Sequence, residues 1–284
     1  MKILIMPNSY NQAEANLQNI DGIIIGIKDL SVNMPKTFEF NEIEKMYNLM
    51  YSNGKETFVA LNKNMFESDL DLLKETMIKL DDLKINGILY YDIAVVNIKK
   101  ENKLIRPLVW SQEHLATNYE TANFWYDFGA KYTYLSSEIT LEEINEIEKK
   151  AKSKIMVNAF GYLPMFASRR HLVKNYLETF KIEDDSKINY IYKEEKTYPI
   201  VDDKHGTVAY SHVCFNAMSE VLKMNTDYIV LNSFNIKDSI FKNVVFMFNI
   251  VAEDNVSELN EKIEEMIETN KGFLNKETIY KVKK

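Results

Sequence analysis

The sequence predicts an α/β fold, a (β/α)8 barrel of the TIM type with an insertion after strand 7. Short apolar runs alternate with amphipathic segments, and the first seven runs begin roughly 20 to 35 residues apart, the length of a βα unit. No glycine-rich turn follows the first run, which favours a closed barrel over a doubly wound sheet. The predicted strands cover residues 3–6, 22–27, 57–61, 87–91, 107–110, 132–135, 154–158 and 228–231.

Amphipathic periodicity predicts the helices between these strands. It places them over residues 42–51, 68–83, 121–128 and 141–151. Thr140 followed by Glu143 is typical of a capping box, because each side chain can satisfy a free backbone N–H. Asn41 is predicted to cap the first of these helices, and Gly54 is predicted to end it in a left-handed conformation.

The predicted insertion lies between the seventh and eighth strands, which begin about 70 residues apart, far more than one βα unit. The sequence therefore predicts one barrel domain over residues 1–284 with an insertion at about 161–223. Within it, the sequence from Asp202 to Gly206 is typical of the turn of a hairpin over residues 198–211. A last strand is predicted over residues 278–282.

Composition narrows the range of functions. The net charge of −7 argues against binding of nucleic acid by the overall charge of the protein, although a local basic patch is compatible with it. The single cysteine, Cys214, excludes an internal disulfide, and an iron–sulfur cluster usually takes about four thiolates. No run approaches the roughly 18 apolar residues of a membrane span, and the start does not resemble a signal peptide, so we expect a cytoplasmic protein without a membrane partner.

Polar residues directly after the strands are candidates for a site, because such positions share one end of a barrel. They include Asn8, Lys28, Asp29, Asn62, Asp92, Ser111, Gln112, Glu113, His114, Ser136, Ser137, Glu138, Asn158, Asn232 and Ser233. Glu113 and His114 suggest an acid–base pair, with helix capping as the alternative. Glu138 is interpreted either as a carboxyl group of raised pKa or as an acid that stabilises a helix start.

A second candidate segment follows the seventh strand. Arg169 and Arg170 could bind a phosphate or carboxylate, and the preceding Tyr162 and Phe166 could stack on a flat ring. The alternative is a solvated helix start that carries an apolar anchor. Only three of the 35 basic residues are arginines, which suggests that these positions use the planar guanidinium group.

No motif of a metal or nucleophile site is found. His205 and His212, near Asp202, Asp203 and Cys214, match no closed zinc pattern, so we expect no metal. Cys214 lies among apolar residues and is expected to be a buried, inert thiol. Neither a serine nucleophile elbow, a P-loop nor a dinucleotide fingerprint is present.

The order and spacing of several segments resemble the collagenase-like peptidase family U32. They are residues 21–26, 87–92, 111–112 with 117–118, 135–144, 160–170, 198–206 and 272–282. The resemblance implies a barrel of this family, whose better understood branches hydroxylate tRNA or rRNA bases, or quinone precursors, without oxygen. Several members carry a cysteine-bound iron–sulfur cluster, and some act in pairs. The family signature has a glutamate, two cysteines and a glycine where this chain has Met156, Pro164, His171 and Arg169.

We therefore expect a ligand-binding or accessory component of oxygen-independent tRNA or rRNA base hydroxylation, with no iron–sulfur cluster or other cofactor of its own. It would assist a larger, cysteine-bearing family member. The alternatives are a peptidase, as the family name implies, and a non-catalytic partner subunit. The predicted catalytic residues are Glu138 and Asp92, and the predicted ligand-binding residues are Asn118, Gln112, His114, Tyr162, Phe166, Arg169, Arg170 and His171. Gly161 is a further candidate that the resemblance carries over.

Overall fold

Continuous apolar runs form the barrel strands, because a strand between a packed lumen and a ring of helices is buried on both faces. All six residues of Gly22–Ile27, for example, are buried. The computed structural model describes residues 1–276, so the strand predicted over residues 278–282 lies outside the described residues.

The strands are β1 (Lys2–Met6), β2 (Gly22–Ile27), β3 (Thr37–Phe38), β4 (Glu56–Leu61), β5 (Gly87–Tyr90), β6 (Leu108–Ser111), β7 (Ala130–Tyr134), β8 (Lys154–Gly161), β9 (Pro164–Ser168), β10 (Asn189–Lys193), β11 (Lys196–Asp203), β12 (Gly206–Tyr210), β13 (Cys214–Asn216), β14 (Tyr228–Asn232) and β15 (Thr269–Asn270). The helices are α1 (Tyr10–Ala15), α2 (Phe40–Ser52), α3 (Leu70–Leu83), α4 (Ile93–Glu101), α5 (Tyr119–Asp127), α6 (Leu141–Lys150), α7 (Leu172–Phe180), α8 (Asp238–Asn249) and α9 (Val256–Met266). Short 3-10 helices cover Leu17–Asn19, Glu67–Asp69 and Val221–Lys223.

Eight parallel strands close into a barrel. They run in the order β1, β2, β4, β5, β6, β7, β8 and β14, and β14 pairs with both β8 and β1. All eight predicted strands are confirmed, as is the TIM-type fold. Inside the barrel, the rings of Phe58, Tyr132 and Tyr228 pack edge to face at 5.3 to 6.0 Å between centroids. The barrel is therefore filled below its mouth, as a packed core rather than a pore.

Helix ends follow the sequence signals in two of three cases. Thr140 and Glu143 form the predicted capping box at the start of α6. Gly54 takes a left-handed φ of 66° just after α2. The predicted cap Asn41 is wrong, because α2 begins at Phe40, two residues before the predicted start, and Glu39 caps it in a box with Glu42.

The insertion carries a second sheet. Strands β10, β11, β12 and β9 pair antiparallel in that order, and the predicted hairpin is formed by β11 and β12. Helix α7 packs on this sheet, where Leu172 N donates to Thr207 Oγ1. The tip of the hairpin reaches back to the barrel, since Lys204 forms an ion pair with Asp29 after β2. The insertion sheet therefore lies over the mouth of the barrel.

The barrel closes at a point where only glycine fits. Gly161 ends β8 with a φ of 123°, and a Cβ added there would lie 2.6 Å from the carbonyl oxygen of Asn232 on β14. The close approach of these two backbones explains the absence of a side chain.

Gly161→Ala is expected to lower the free energy of unfolding by about 1–3 kcal/mol more than Gly54→Ala, because both glycines have positive φ but only Gly161 is crowded. Nothing lies within 4 Å of a Cβ built at Gly54, so that variant isolates the backbone conformation. Urea denaturation of the two variants measures the difference. Equal losses of stability would show that the contact with Asn232 does not constrain closure.

Candidate functional site

Residues on or just after seven barrel strands converge on a small cavity of about 190 Å³. Among them are Asn62 after β4, Ser111 on β6, Asn158 on β8 and Asn232 on β14. All four were predicted from their positions directly after apolar runs, or at the end of one. Since the side-chain amides offer both donors and acceptors, the cavity suits a ligand with a mixed hydrogen-bonding edge.

A chain of hydrogen bonds orders the floor of the cavity. The Tyr134 hydroxyl donates to Asn158 Oδ1 at 2.5 Å, and Asn158 Nδ2 donates to Ser137 Oγ at 2.7 Å. Burial, with a smaller contribution from the charge of Glu113, raises the pKa of Tyr134 well above its ordinary value. The hydroxyl therefore remains protonated, and its hydrogen bond fixes the orientation of the Asn158 amide.

Glu113 is the most perturbed carboxyl group of the cavity. Burial, followed by repulsion from Glu138, raises its pKa to about 8, while a hydrogen bond from Asn33 Nδ2 at 3.3 Å opposes the shift. Near neutral pH, this group is therefore mostly protonated. A carboxyl group in this state can donate or accept a proton at a bound ligand.

His114 interacts with Glu138 rather than with its neighbour in sequence. His114 Nδ1 lies 3.5 Å from Glu138 Oε1, and the two side chains are 56% and 52% exposed. The suggested pair of Glu113 with His114 is replaced by this contact between two loops. His114 lines the small cavity, so the pair lies at its rim, in contact with solvent.

A larger cleft of about 950 Å³ lies between the barrel mouth and the insertion sheet. It shares Asn33, Tyr91 and Ala167 with the small cavity, so the two spaces are continuous. Six cationic side chains and one carboxylate, Asp203, line the cleft among the residues that the structure describes. The six are Lys36, Lys63, Arg169, Lys187, Lys204 and Lys237. Three of the cations form ion pairs, Lys36 with Glu42, Lys63 with Asp69 and Lys204 with Asp29, and the other three have no carboxylate partner within residues 1–276. On a chain of net charge −7, this concentration of positive charge is typical of an anion-binding surface.

The two adjacent arginines point to different places. Arg169 lines the cleft, where its Cζ lies 4.5 Å from the ring centroid of Phe66. Arg170 does not line either space, and its backbone carbonyl accepts a hydrogen bond from Thr207 Oγ1. The candidate pair is thus divided, with one guanidinium available to a ligand in the cleft.

The aromatic candidates are divided in the same way. Tyr162 lines the small cavity, while Phe166 is half exposed on β9 and lines neither space. Burial raises the pKa of Tyr162, as does the adjacent thiol of Cys214. Cys214 is fully buried, as predicted, and this burial raises the pKa of its thiol to about 12.

Four other candidates lie outside the two spaces. Both carboxylate oxygens of Asp92 accept backbone N–H groups, from Met65 and from Ala94 at the start of α4. Asn118 caps α5. His171 lies at the start of α7, 2.8 Å from Asp202, on the far side of the insertion sheet. The side-chain oxygen of Gln112 is buried and accepts no hydrogen bond from residues 1–276.

Several site residues were not singled out from the sequence. Phe66, Lys63 and Lys187 carry no pattern that separates them from ordinary loop residues, and Lys63 is nearly buried beside Asp69 at 2.9 Å. The burial of a lysine cannot be predicted from the sequence alone, because it depends on residues that only the fold brings together. Within residues 1–276, no group of three or more potential ligands could hold a metal ion, and no helix could cross a membrane.

The fold and the site define a TIM-type barrel with a cation-lined cleft at the carboxyl ends of its strands. The sequence pattern described as Peptidase family U32 matches residues 8–273. The chain belongs to this family, as the resemblance in the sequence indicated.

Two curated relatives carry names from RNA modification. The tRNA hydroxylation protein P2 of Bacillus subtilis (strain 168) is 25% identical over 311 aligned residues, which cover 98% of this chain and 99% of that protein. The tRNA hydroxylation protein P of Escherichia coli (strain K12) is 24% identical over 141 residues, which cover 49% of this chain and 31% of that protein. The solved structure of the U32 peptidase Mk0906 has a TM-score of 0.55 at 14% identity, over 84% of this chain and 94% of that chain, and shows a shared fold alone.

Glu113→Gln is expected to change how stability depends on pH. Because the pKa of Glu113 is raised to about 8, the folded state binds this proton more tightly than the unfolded state, and wild-type stability falls as the pH rises toward that value. Glutamine keeps the neutral shape. The variant should therefore match the wild type at about pH 4 and exceed it by about 2 kcal/mol at about pH 9, after allowance for partial solvent screening.

Urea denaturation at both pH values measures this difference. Glu101→Gln, at an exposed carboxylate on the last residue of α4, is the matched control and should follow the wild type. Parallel pH curves for Glu113→Gln and the wild type would show that Glu113 titrates as an ordinary carboxylate.

Proposed function

We propose that this chain is an RNA-binding component of tRNA base hydroxylation, which holds an unpaired base in the small cavity and the adjoining backbone in the cleft. The observation that carries the proposal is the continuity of the two spaces, one lined by amides and the other by cations. A relative that aligns over nearly the whole chain, and is named as a tRNA hydroxylation protein, supports the choice of RNA.

The cleft is suited to phosphates. Proteins bind single-stranded RNA through positively charged grooves along the backbone and aromatic rings beneath the bases. Lysines from the barrel loops, such as Lys36 and Lys237, face cations of the insertion, such as Lys187 and Arg169, across the cleft. A flexible strand laid between them would meet positive charge on both sides.

The small cavity is suited to a base. Specific recognition of RNA usually targets unpaired bases, whose edges hydrogen-bond to side chains. Asn62, Asn158 and Asn232 offer amide groups at three points of the wall, and Glu113 offers a carboxyl group that can donate or accept. The ordered Tyr134–Asn158 hydrogen bond limits the rearrangement needed on binding.

Iron–sulfur chemistry does not fit the residues of this chain. A cluster takes about four thiolates, and the one cysteine, Cys214, is buried with a raised pKa. The family cysteine positions hold Pro164 and His171, of which the first lines the small cavity and the second lies beyond the insertion sheet. Any cluster would therefore belong to a larger, cysteine-bearing partner, and this chain would bind the RNA.

The two alternatives differ in what the site would do. A peptidase needs an activated nucleophile, and the burial and raised pKa of Cys214 disfavour a thiolate at that position. A purely structural partner subunit has no use for a cation-lined cleft.

Arg169→Ala is expected to weaken binding of tRNA about tenfold, because one lost charge-assisted contact corresponds to ~1.5 kcal/mol. The slope of log affinity against log salt should fall by about 0.7–0.9, as for one lost phosphate contact. Arg170→Ala, which removes the adjacent guanidinium outside the cleft, is the matched control and should bind as the wild type does. Titrations of labelled tRNA at several salt concentrations measure both quantities.

Nucleoside mass spectrometry of tRNA and rRNA, from a strain with and without the gene, tests the reaction itself. Loss of one hydroxylated nucleoside in the deletion strain, restored by the wild-type gene and by Arg170→Ala but not by Arg169→Ala, is the expected result. An unchanged nucleoside profile would contradict the proposal. Cleavage of a peptide library by the purified chain, lost in Glu113→Gln, would favour the peptidase instead.

A further inference from the structure

We infer that Phe66 and Arg169 form a stacking platform for the nucleobase next to the one held in the small cavity. This inference rests on the proposed function, because it concerns the same RNA strand. It goes further in assigning a second base-binding position, on side chains that belong to opposite walls of the cleft. Phe66 lies in the loop after β4, and Arg169 follows β9 in the insertion.

The contact between these two residues bridges the cleft. Arg169 Cζ lies 4.5 Å from the centroid of the Phe66 ring, a cation–π contact. Both residues line the larger space, and the Phe66 side chain is 53% exposed. A large apolar ring that is half exposed inside a cation-lined cleft has free surface on which a flat, uncharged group can pack.

The platform is held in place before a ligand arrives. Met65 N donates to Asp92 Oδ2 at 2.9 Å, and Phe66 N donates to Asp69 Oδ2 at 2.8 Å. Asp69 also forms an ion pair with the nearly buried Lys63 at 2.9 Å. Two carboxylates therefore hold the backbone that leads into Phe66, which reduces the conformational entropy lost on binding.

The chemistry of the surroundings favours a nucleobase as the occupant. An aromatic ring under a guanidinium plane is a surface on which bases stack, whatever their identity, because every base has a π-face. The cations around it would repel a basic peptide and attract the phosphates on either side of a base. Tyr91 lines both spaces, and the next residue, Asp92, accepts a hydrogen bond from the backbone of Met65, so the loop that carries Phe66 is tied to the junction of the two spaces.

A base-stacking platform of this kind would require a neighbouring base without selecting which one. Hydrogen bonds in the small cavity would select the target base, while Phe66 and Arg169 would stack on the base before or after it regardless of its identity. The inference therefore predicts that a single nucleoside binds far more weakly than a short strand.

The test uses the full chain and short single-stranded oligoribonucleotides that carry a label at one end and one abasic position, moved along the strand. Phe66→Ala is expected to weaken binding of the intact strand about 5- to 100-fold, and Phe66→Trp to retain it. In the wild type, two abasic positions should each weaken binding. In Phe66→Ala, one of the two should lose its effect, because the base there no longer has a partner, while the other should keep it.

Phe246→Ala is the matched control, since Phe246 is 48% exposed on α8 and lines neither space. It should bind every strand as the wild type does. Equal binding by Phe66→Ala and the wild type, or two abasic effects that persist unchanged in Phe66→Ala, would overturn the platform while leaving the proposed function standing. Failure of the wild-type chain to bind any RNA would overturn both.

Discussion

The parallel pairing of β8 with β14 is the constraint on which the rest of the structure depends. Without it, eight strands would form an open sheet whose end loops lie far apart, and the polar residues after each strand would not meet. The closure is tight enough that the backbone of β14 occupies the space of a side chain at Gly161. Because closure brings Asn62, Asn158 and Asn232 to one rim, the chemistry of the cavity is a consequence of backbone geometry as much as of residue type.

Charge is distributed against the overall sign of the chain. The protein carries a net charge of −7, yet the surfaces that face each other across the barrel mouth are cationic. Neither wall alone would form the cleft, because the barrel loops supply Lys36 and Lys63 and the insertion supplies Lys187 and Arg169. Repulsion between the two walls is relieved by carboxylates placed at their edges, such as Asp29 with Lys204 and Asp69 with Lys63.

Local sequence patterns predicted the barrel strands and a helix start, but they did not predict the site features that depend on contacts between distant residues. Apolar runs located all eight strands, and Thr140 with Glu143 located a helix start, because each of these features depends on neighbours in sequence. Asp92 and a cavity-lining residue look alike in sequence, since both are polar groups after a strand, and only the hydrogen bonds of Asp92 to Met65 and Ala94 separate them. Arg169 and Arg170 are adjacent in sequence, yet only Arg169 lines the cleft, because β9 ends at Ser168 and the backbone carbonyl of Arg170 is held by Thr207 of β12, and no local pattern predicts that contact. Glu113 owes its perturbed pKa partly to Glu138, which a separate loop brings near.

The two ends of the insertion leave and rejoin the barrel side by side. Phe215 on β13 pairs with Gly161 at the end of β8, so the chain departs and returns at adjacent points of one strand. Because the two ends of the insertion are adjacent, the closure of the barrel does not depend on the length of the insertion. The upper wall of the cleft is consequently an exchangeable part, which evolution or an engineer can lengthen, shorten or replace while the eight strands beneath it keep their register. Ligand choice in this chain can therefore be altered through the insertion while the barrel that holds it stays the same.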